Sequence, residues 1–521
     1  MLTMTSALTR AQRVFGGKTA IIDTEATYSW AEEVDRIARL ANGLGSLGIE
    51  PTHRFGIVSP NTFRYQEALY AGYWSGAVPV PINMRLAPPE IQYILENAEC
   101  SWLLLGPGFE GLADAPELAP WKDHLVFLGP ETDAVPWPSA DGLIADYEPL
   151  PPHPAAEDDI ALMLYTGGTT GRSKGVPLTH LNIVSNGMQV GLVMGAAIDD
   201  IYLHIPPMFH AADLLATGFT LVGSAHCFLP VFTPVDVLTA IQDYKVTSCM
   251  MAPTMIIMTL GEESFGSFDL SSLRVMLYGS SPMAAEWIKR TMEAFEGTDI
   301  LQGYGLTETS PILTTLDPPE HRQAIESGDL EILRSAGRPV VGVDMKILGP
   351  DGNEVSPDDS GEVVVRGPNV SYGYLNRPEE TSAAFKDGWF HTGDVGRFDE
   401  DGYLFVQDRK KDMVITGGEN VYTTEVEAAL YQHPEVHETA VIGVPDEKFG
   451  EALFAVIVPV PGSSLDEDAV IEHCRGRIGS YKIPRKMAFV EEMPKSAMGK
   501  ILKAELRKTY GGSEKISAAQ R

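Results

Sequence analysis

The stretch Tyr165-Thr-Gly-Gly-Thr-Thr-Gly-Arg-Ser-Lys-Gly-Val176 follows the apolar run Ile160 to Leu164 and contains four glycines. Glycine lets backbone N–H groups come close to a ligand and adopts positive φ without strain. The hydroxyl groups and the Lys174 ammonium add donors and positive charge, which together are the groups that bind a polyphosphate. The order Ser-Lys-Gly differs from the Gly-Lys-Ser/Thr ending of a Walker A loop, so a P-loop kinase or ATPase is disfavoured. A hairpin turn without a ligand is the alternative, but the density of Gly and Thr favours phosphate binding.

On both sides of this loop, strand-like apolar runs alternate with helix-like amphipathic runs. Phe55 to Ser59 predicts a buried strand, Arg64 to Gly72 a helix, and Gly76 to Ile82 a second strand. Thr247 to Met251, followed by Pro253 to Leu260, repeats the pattern. Such alternation indicates βαβ units and largely parallel sheets with helices packed on them.

The sequence pattern changes in the last third of the chain. From about residue 340, short strands such as Gly361 to Arg366 are separated by turns, which predicts an antiparallel or barrel-like piece. The last 110 or so residues read as a small α+β unit, with a helix near Thr424 to Tyr431, strands Glu438 to Val444 and Ala452 to Val460, and a helix at Glu467 to Arg477. The sequence therefore predicts an α/β fold with a large N-terminal domain of parallel-rich sheets, a barrel-like part, and a small C-terminal α+β domain.

Composition excludes several classes of protein. The 521 residues are 44% hydrophobic and 21% charged, as in folded globular chains, and the formal net charge is −32. An acidic surface argues against binding to nucleic acid or anionic membranes. The four cysteines are far apart, which indicates neither a zinc site nor a disulfide framework and fits a reducing cytoplasm. No signal peptide is predicted, and Leu214 to Phe232 predicts a buried helix and strand, not a membrane span.

One segment departs from this acidity. Residues 475–508 contain ten basic and three acidic residues, a local net charge of +7. A solvated helix face is the simpler interpretation of such a run. A site for an anionic small molecule is the alternative.

Six segments together resemble the motifs of the AMP-forming adenylate family, which includes acyl-CoA synthetases, luciferases and peptide-synthetase adenylation domains. They occur in family order over about residues 30–508. They are the loop at 165–176, Tyr304-Gly-Leu-Thr-Glu-Thr309, Gly393-Asp394, Asp408-Arg-Lys-Lys411, Gly417-Gly-Glu-Asn420 and Pro494-Lys-Ser-Ala-Met-Gly-Lys500. The resemblance implies an enzyme with ATP, Mg²⁺ and CoA as its small molecules. An acid attacks the α-phosphorus of ATP to give acyl-AMP and pyrophosphate, and the CoA thiol then displaces AMP.

The resemblance also implies which residues hold the nucleotide. Asp394 would accept hydrogen bonds from the ribose hydroxyls, with Arg409 as a second ribose contact. Glu308 would bind Mg²⁺ beside Thr307 at the α-phosphate, although Thr-Glu-Thr-Ser-Pro is also a good helix start. The predicted ATP- and AMP-binding residues are Thr166, Gly167, Gly168, Thr169, Thr170, Lys174, Gly279, Ser280, Ser281, Gly303, Tyr304, Gly305, Asp394 and Arg409.

A second group of residues belongs to the C-terminal part. Lys500 resembles the family's catalytic lysine, which lies between the acyl carboxylate and the α-phosphate. The implied division is an N-terminal domain at 1–408, with the barrel-like part at about 335–408, a hinge at 409–411 about Lys411, and a mobile C-terminal domain at 412–521. Rotation about the hinge would bring the predicted CoA-binding residues to the site: Gly417, Gly418, Glu419 and Lys482.

The acid pocket is the least determined part. His210, in Pro206-Pro-Met-Phe-His210, matches a pocket histidine of the family, although a histidine in an apolar run is more often a core residue. Plant 4-coumarate ligases carry a tyrosine two positions later, where this chain has Ala212, so the pocket is expected to differ in shape. The predicted pocket residues are Phe209, His210, Ala212, Leu214, Met251, Leu277, Leu306 and Ile312.

The sequence thus predicts a carboxylic acid–CoA ligase for a medium-sized hydrophobic acid, either aliphatic or aromatic. An adenylating enzyme with another acceptor, such as a luciferase or a carrier-protein loader, is the nearest alternative, and an inactive nucleotide-binding regulator is the second. Five intact residues speak against the regulator: Lys174, Glu308, Asp394, Arg409 and Lys500. Members of this family are often dimers, so a homodimer is a further expectation.

Overall fold

The computed structural model of the chain describes residues 1–166, 173–409, 412–416, 419–446, 449–475, 477–496 and 499–511. Many of its helices begin at a side-chain cap. Ser29, for example, accepts the backbone N–H of Glu32, whose carboxylate accepts the N–H of Ser29 in return. The α-helices are α1 (Met4–Phe15), α2 (Trp30–Ser46), α3 (Phe63–Ser75), α4 (Pro88–Asn97), α5 (Ala140–Asp146), α6 (His180–Val193), α7 (Thr217–Val222), α8 (Pro234–Tyr244), α9 (Pro253–Leu260), α10 (Ala285–Ala294), α11 (Pro318–Ser327), α12 (Pro378–Ala384), α13 (Thr423–Leu430), α14 (Glu467–Cys474) and α15 (Lys503–Tyr510).

The strands divide into those buried on both faces and those with one exposed face. Every residue of the strand Val78–Pro81 is buried, which explains its continuous apolar run. The strands are β1 (Thr19–Ile22), β2 (Thr27–Ser29), β3 (Arg54–Val58), β4 (Val78–Pro81), β5 (Cys100–Leu105), β6 (Leu125–Phe127), β7 (Ile160–Thr166), β8 (Lys174–Thr179), β9 (Ile201–His204), β10 (Ala225–Phe228), β11 (Ser248–Met251), β12 (Val275–Gly279), β13 (Asp299–Gly305), β14 (Ile312–Leu316), β15 (Arg338–Pro339), β16 (Asp344–Leu348), β17 (Gly361–Arg366), β18 (Phe385–Lys386), β19 (Trp389–Phe398), β20 (Leu404–Arg409), β21 (Val414–Thr416), β22 (Glu419–Val421), β23 (Val436–Asp446), β24 (Gly450–Pro459) and β25 (Lys486–Phe489).

Two of the sheets are built largely or wholly from parallel strands. The larger has nine strands in the order β15-β14-β13-β12-β11-β9-β10-β1-β2, with parallel pairing from β13 to β1. The smaller is the all-parallel sheet β4-β3-β5-β6. Strands β7 and β8 form a separate antiparallel hairpin. In open parallel sheets, ligands bind at the carboxyl ends of the strands, so the ends of β11, β12 and β13 define the place where a site is expected.

The last third has its own sheets. Strands β16 to β20 form an antiparallel five-stranded sheet, as the turn-rich sequence predicted. Strands β21 to β25 form another sheet, which carries α13 and α14 and has its own apolar cores around Val441 and Val456. This is the predicted fold class. The exact domain boundaries stay a prediction, and the expected hinge residue Lys411 lies outside the described residues.

Two further expectations concern the chain as a whole. All four cysteines are free and buried. Across the part of the chain that is described, no helix has both the length and the apolar character needed to cross a bilayer. The run from Leu214 to Phe232 forms the end of a short 3₁₀ helix, α7 and β10, which agrees with the predicted buried helix and strand.

The junction between the large sheet and β20 depends on Gly337. Its φ is +82°, and a Cβ there would lie 1.9 Å from the backbone oxygen of Thr315. Gly352 has a similar φ of +80° but open space around it. Gly337→Ala should therefore lower the free energy of unfolding by more than about 3 kcal/mol, whereas Gly352→Ala should lose only the strain of positive φ, about 1–2 kcal/mol. Urea unfolding followed by circular dichroism measures both, and equal losses would contradict a backbone clash at Gly337.

Candidate active site

The glycine-rich loop connects the two strands of the β7–β8 hairpin. Thr166 and Lys174 are cross-strand partners, so the loop between them begins and ends at one place. The Lys174 ammonium lies 4.9 Å from the ring centroid of Tyr374. The predicted phosphate-binding residues of the loop itself lie outside the described residues: Gly167, Gly168, Thr169 and Thr170.

The carboxyl ends of β12 and β13 form a surface made of backbone. Gly279 and Gly303 are register partners, and a Cβ on Gly279 would lie 2.4 Å from the carbonyl oxygen of Gly303. Gly305 is as tightly placed, because a Cβ there would lie 1.8 Å from the carbonyl oxygen of Pro311. Ser280 has a φ of 70°, so the chain turns sharply before Ser281. Glycine at these positions keeps the strands close together and leaves a flat edge where a planar base can lie against the backbone.

A carboxylate and a tyrosine meet beside this edge. The Tyr304 hydroxyl donates a 2.6 Å hydrogen bond to Oδ2 of Asp394, whose residue is only 3% exposed. Asp394 lies on β19, and its backbone partner across β20 is Arg409. The structure thus brings together three of the predicted nucleotide residues, from three different strands.

Glu308 and Thr307 lie in a 3₁₀ turn directly after β13. The Glu308 residue is 9% exposed, and its Oε1 accepts a 2.8 Å hydrogen bond from the hydroxyl of Tyr374, the residue on which the Lys174 ammonium rests. Mg²⁺ in nucleotide sites prefers hard oxygen ligands and uses only one or two carboxylates together with substrate phosphates. A single carboxylate next to the mouth of a phosphate loop fits that requirement, so Glu308 is the residue that would hold the ion.

Apolar side chains form one cluster on the face of the large sheet that packs on α6 and α7. Ala212, Leu277 and Ile312 are buried in this cluster, and Leu306 packs against it. Met250 is also in the cluster and is the register partner of Leu277.

Three residues that were predicted to line the acid pocket are not members of this apolar cluster. Met251 packs in the cluster on the opposite face of the sheet, because successive strand residues point to opposite sides. Leu214 packs against the N-terminal core, and Phe209 is buried in the loop before the 3₁₀ helix Ala211–Ala216.

His210 caps that 3₁₀ helix, and its Nδ1 accepts the N–H of Ala212 at 3.2 Å. Burial, together with the smaller effect of the positive charge of Lys500, lowers the pKa of His210 to about 4, while Asp213 acts in the opposite direction. His210 is therefore neutral at physiological pH. The effect of Lys500 also places its charge close to the predicted acid pocket, although Lys500 belongs to the C-terminal part of the chain.

The neighbour of this lysine touches the N-terminal part directly. Gly499 has a φ of +74°, and a Cβ on it would lie 2.5 Å from the hydroxyl oxygen of Thr254, in the first turn of α9. The helix α9 follows β11, whose carboxyl end faces the site. Lys500 itself is exposed, and its backbone is fixed by hydrogen bonds to Ser496.

Of the predicted CoA-binding residues, only Lys482 has a described side chain, and it is paired within the C-terminal unit. Lys482 forms hydrogen bonds of 2.7 Å to both carboxylate oxygens of Glu425 within the C-terminal unit. Several other cations of the basic segment also pair with nearby acids, such as Lys503 with Glu427 and Arg507 with Asp412. Glu419 begins β22, and Gly417 and Gly418 lie outside the described residues.

Sequence reasoning missed three residues at this site: Tyr374, Thr254 and Met250. Two tyrosines, Tyr372 and Tyr374, occur in one short segment, and only the fold distinguishes the exposed one from the one that contacts Glu308. Strand alternation places Met250 and Met251 on opposite faces of the sheet, and the register with β12 decides which of them packs with Leu277.

Comparison with known proteins gives the class. The model of AMP-binding enzymes matches residues 8–375, and that of the AMP-binding enzyme C-terminal domain matches residues 425–500. A feruloyl-CoA synthase of Amycolatopsis sp. is 40% identical over 504 residues, which cover 96% of this chain and 98% of the relative. ATP-bound MatB from Rhodopseudomonas palustris has 31% sequence identity and a TM-score of 0.87 over 98% of this chain and 99% of its own. The anthranilate CoA ligase AuaEII in complex with anthranoyl-AMP has 28% identity and a TM-score of 0.89, with 99% and 98% of the two chains covered.

The chain therefore belongs to the family of AMP-binding enzymes, which form adenylates. The predicted family and fold class are confirmed, as is the expectation of an enzyme that uses ATP, Mg²⁺ and CoA. The individual roles of the site residues, the domain boundaries, the homodimer and the cytoplasmic location stay predictions.

The depressed pKa of His210 has a consequence for stability. Because the pKa in the folded state lies below the value of about 6.5 in the unfolded state, the unfolded chain takes up this proton first. Stability should therefore fall as the pH drops from about 6.5 towards about 4. In His210→Gln, the decrease in melting temperature between pH 7 and pH 5 should be smaller than in the wild type. Parallel pH curves for the two proteins would show that His210 titrates normally.

Proposed function

We propose that the chain is an ATP-dependent, AMP-forming carboxylic acid–CoA ligase. The observation that carries this proposal is the position of the segment around Lys500. Gly499 lies against Thr254, and the charge of Lys500 reaches His210 beside the apolar cluster. We infer that a cation from the C-terminal unit would lie at the point where an acid and an α-phosphate meet.

In the first half-reaction, the acid carboxylate attacks the α-phosphorus of ATP and pyrophosphate leaves. The Lys500 ammonium would hold the carboxylate in line and stabilise the charge that develops on the phosphate oxygens. The Asp394 carboxylate would accept hydrogen bonds from the ribose hydroxyls, and the Tyr304 ring would lie against the adenine base. Mg²⁺ supplies positive charge to the phosphates when it is bound at Glu308.

In the second half-reaction, the sulfur of CoA attacks the acyl carbon and AMP leaves as the C–O bond breaks. We propose that the C-terminal unit turns about residues 409–411 between the two steps. That motion would remove Lys500 from the site and bring the Gly417–Glu419 segment to it. Lys482 would then exchange Glu425 for a phosphate of CoA.

For the acid, we propose an aromatic carboxylic acid of benzoate or hydroxycinnamate size. Two of the relatives above carry the names of aromatic acids, feruloyl and anthranilate. The apolar cluster of Ala212, Leu277 and Ile312 would take an apolar ring. A fatty acid is the alternative, and a panel of acids of both kinds decides between them.

The basic test of the function separates it from both alternatives. With ATP, Mg²⁺ and the right acid, exchange of labelled pyrophosphate into ATP should proceed without CoA, and continuous release of AMP should require CoA. A protein that exchanges pyrophosphate but ignores CoA would be an adenylating enzyme with another acceptor. A protein that binds ATP without exchange would be a regulator.

The two half-reactions should respond differently at Lys500. Lys500→Ala is expected to slow acyl-AMP formation about a hundredfold or more, close to 3 kcal/mol of transition-state stabilisation. Thioester formation from preformed acyl-AMP should change much less. Gly499→Ala should also slow acyl-AMP formation, because the added methyl group clashes with Thr254 when the Lys500 segment lies at the N-terminal part. Single-turnover assays of each step measure this, and equal losses in both steps would contradict the two-state picture.

The pocket assignment can be tested with two adjacent alanines. Ala212 and Ala211 are each 4% exposed, but Ala212 packs with Leu277 and Ile312, whereas Ala211 packs in the N-terminal core. Overpacking costs each leucine variant about 1–3 kcal/mol of stability. Ala212→Leu should also lower kcat/KM for the larger acids at least tenfold relative to acetate, while Ala211→Leu should leave the ratio unchanged. A uniform change across acid sizes in Ala212→Leu would remove Ala212 from the pocket.

A further inference from the structure

Tyr374 connects two groups that the nucleotide site needs. Its hydroxyl donates to Oε1 of Glu308 at 2.8 Å, and the Lys174 ammonium lies 4.9 Å from its ring centroid. A cation over an aromatic face is attracted by the ring, and a carboxylate is oriented by a hydroxyl donor. One side chain therefore contacts both the cation of the phosphate loop and the predicted ligand of Mg²⁺.

The position of Tyr374 is fixed from several sides. Its backbone N–H donates to the Thr381 hydroxyl at 2.9 Å, and its ring makes an edge contact of 5.9 Å with Phe385. The next residue, Leu375, donates its N–H to the carbonyl of Gly175 on β8 at 2.9 Å. The two hydrogen bonds fix the backbone on which the ring is carried, and the ring itself packs against Phe385.

The same segment is attached to the other side of the site. The N–H of Ser371 donates to the backbone carbonyl of Glu308 at 2.8 Å, and its hydroxyl donates to the carbonyl of Pro177 at 2.7 Å. Residues 371–375 thus join the 3₁₀ turn that carries Glu308 to the strand that begins at Lys174. These hydrogen bonds connect the backbone at Glu308, the predicted metal ligand, to the backbone of β8.

We propose that Tyr374 is a positioning residue for the metal and the β- and γ-phosphates of ATP. Its hydroxyl holds the Glu308 carboxylate in the orientation that binds the ion, and its ring holds the Lys174 ammonium at the mouth of the loop. The proposal rests on the role of Glu308 given under the proposed function. Removing a hydrogen-bond partner of a metal ligand commonly weakens metal binding about 10- to 100-fold.

Direct binding measurements test this without turnover. Mn²⁺ is titrated against the full chain with α,β-methylene-ATP, and free Mn²⁺ is followed by electron paramagnetic resonance. Tyr374→Phe keeps the ring and should bind Mn²⁺ about tenfold more weakly than the wild type, while Glu308→Gln marks the loss of the ligand itself. Tyr372→Phe is the matched control, because Tyr372 lies in the same segment and is 58% exposed. An unchanged Mn²⁺ affinity in Tyr374→Phe would overturn the proposal.

A second titration distinguishes the contact of the Tyr374 ring with Lys174 from that of its hydroxyl with Glu308. Calorimetry with the same nucleotide in the presence of a chelator should show weaker binding for Tyr374→Leu, which lacks the ring, and wild-type binding for Tyr374→Phe. Equal nucleotide affinity in both variants would refute the role of the ring.

Tyr374→Phe removes a single hydroxyl, so its circular dichroism spectrum should match that of the wild type, and a lower Mn²⁺ affinity then reports the lost hydrogen bond to Glu308. Pyrophosphate exchange by the wild type is a separate readout, so its absence would reject the proposed function without changing the binding comparison.

Discussion

The contact between Gly499 and Thr254 is the constraint on which the proposed active site depends. The C-terminal unit has its own sheet and apolar cores, so it does not need the N-terminal part for a folded interior. Yet its lysine loop lies so close to α9 that a Cβ on Gly499 would be 2.5 Å from the Thr254 hydroxyl oxygen. Only a glycine combines this closeness with a φ of +74°. The position of Lys500 is therefore set in part by a contact between the C-terminal unit and α9 of the N-terminal part.

The remainder of the site is built from strand ends. Gly279 and Gly303 bring the backbones of β12 and β13 together, and the turns after both strands form part of the proposed nucleotide site. Asp394 comes from the antiparallel sheet and meets Tyr304 from the parallel sheet. Side chains from a largely parallel sheet and an antiparallel sheet therefore meet at the proposed nucleotide site.

The sequence predicted the fold well where local signals were strong. The helix Pro253–Leu260 and the strand Gly361–Arg366 have the predicted bounds, because proline marks the first turn of the helix and turn residues flank the strand. The predicted helix from Glu467 ends at Cys474 instead of Arg477, since Arg475 is already extended. The motifs also assigned Tyr304 and Asp394 to one nucleotide site, and these two side chains are hydrogen-bonded to each other.

Contacts between residues that are far apart in the chain could not be predicted from the sequence. Which of Met250 and Met251 packs with Leu277 depends on strand register, and a shift of one residue reverses the answer. The partner of Lys482 is Glu425, 57 residues away, and a charge count cannot identify it. The link from Lys174 through Tyr374 to Glu308 likewise joins three distant segments through one ring and one hydroxyl.

The central claim is that a lysine of the C-terminal unit meets the nucleotide and the acid at the N-terminal site. A crystal structure with an acyl-sulfamoyl-adenosine, a stable mimic of the acyl adenylate, measures this directly. We expect the Lys500 ammonium within hydrogen-bonding distance of the acyl carbonyl or the sulfamoyl oxygens, with the ribose on Asp394. An inhibitor bound on Asp394 while Lys500 stayed in solvent in every copy, or an inhibitor bound away from Asp394, would contradict it.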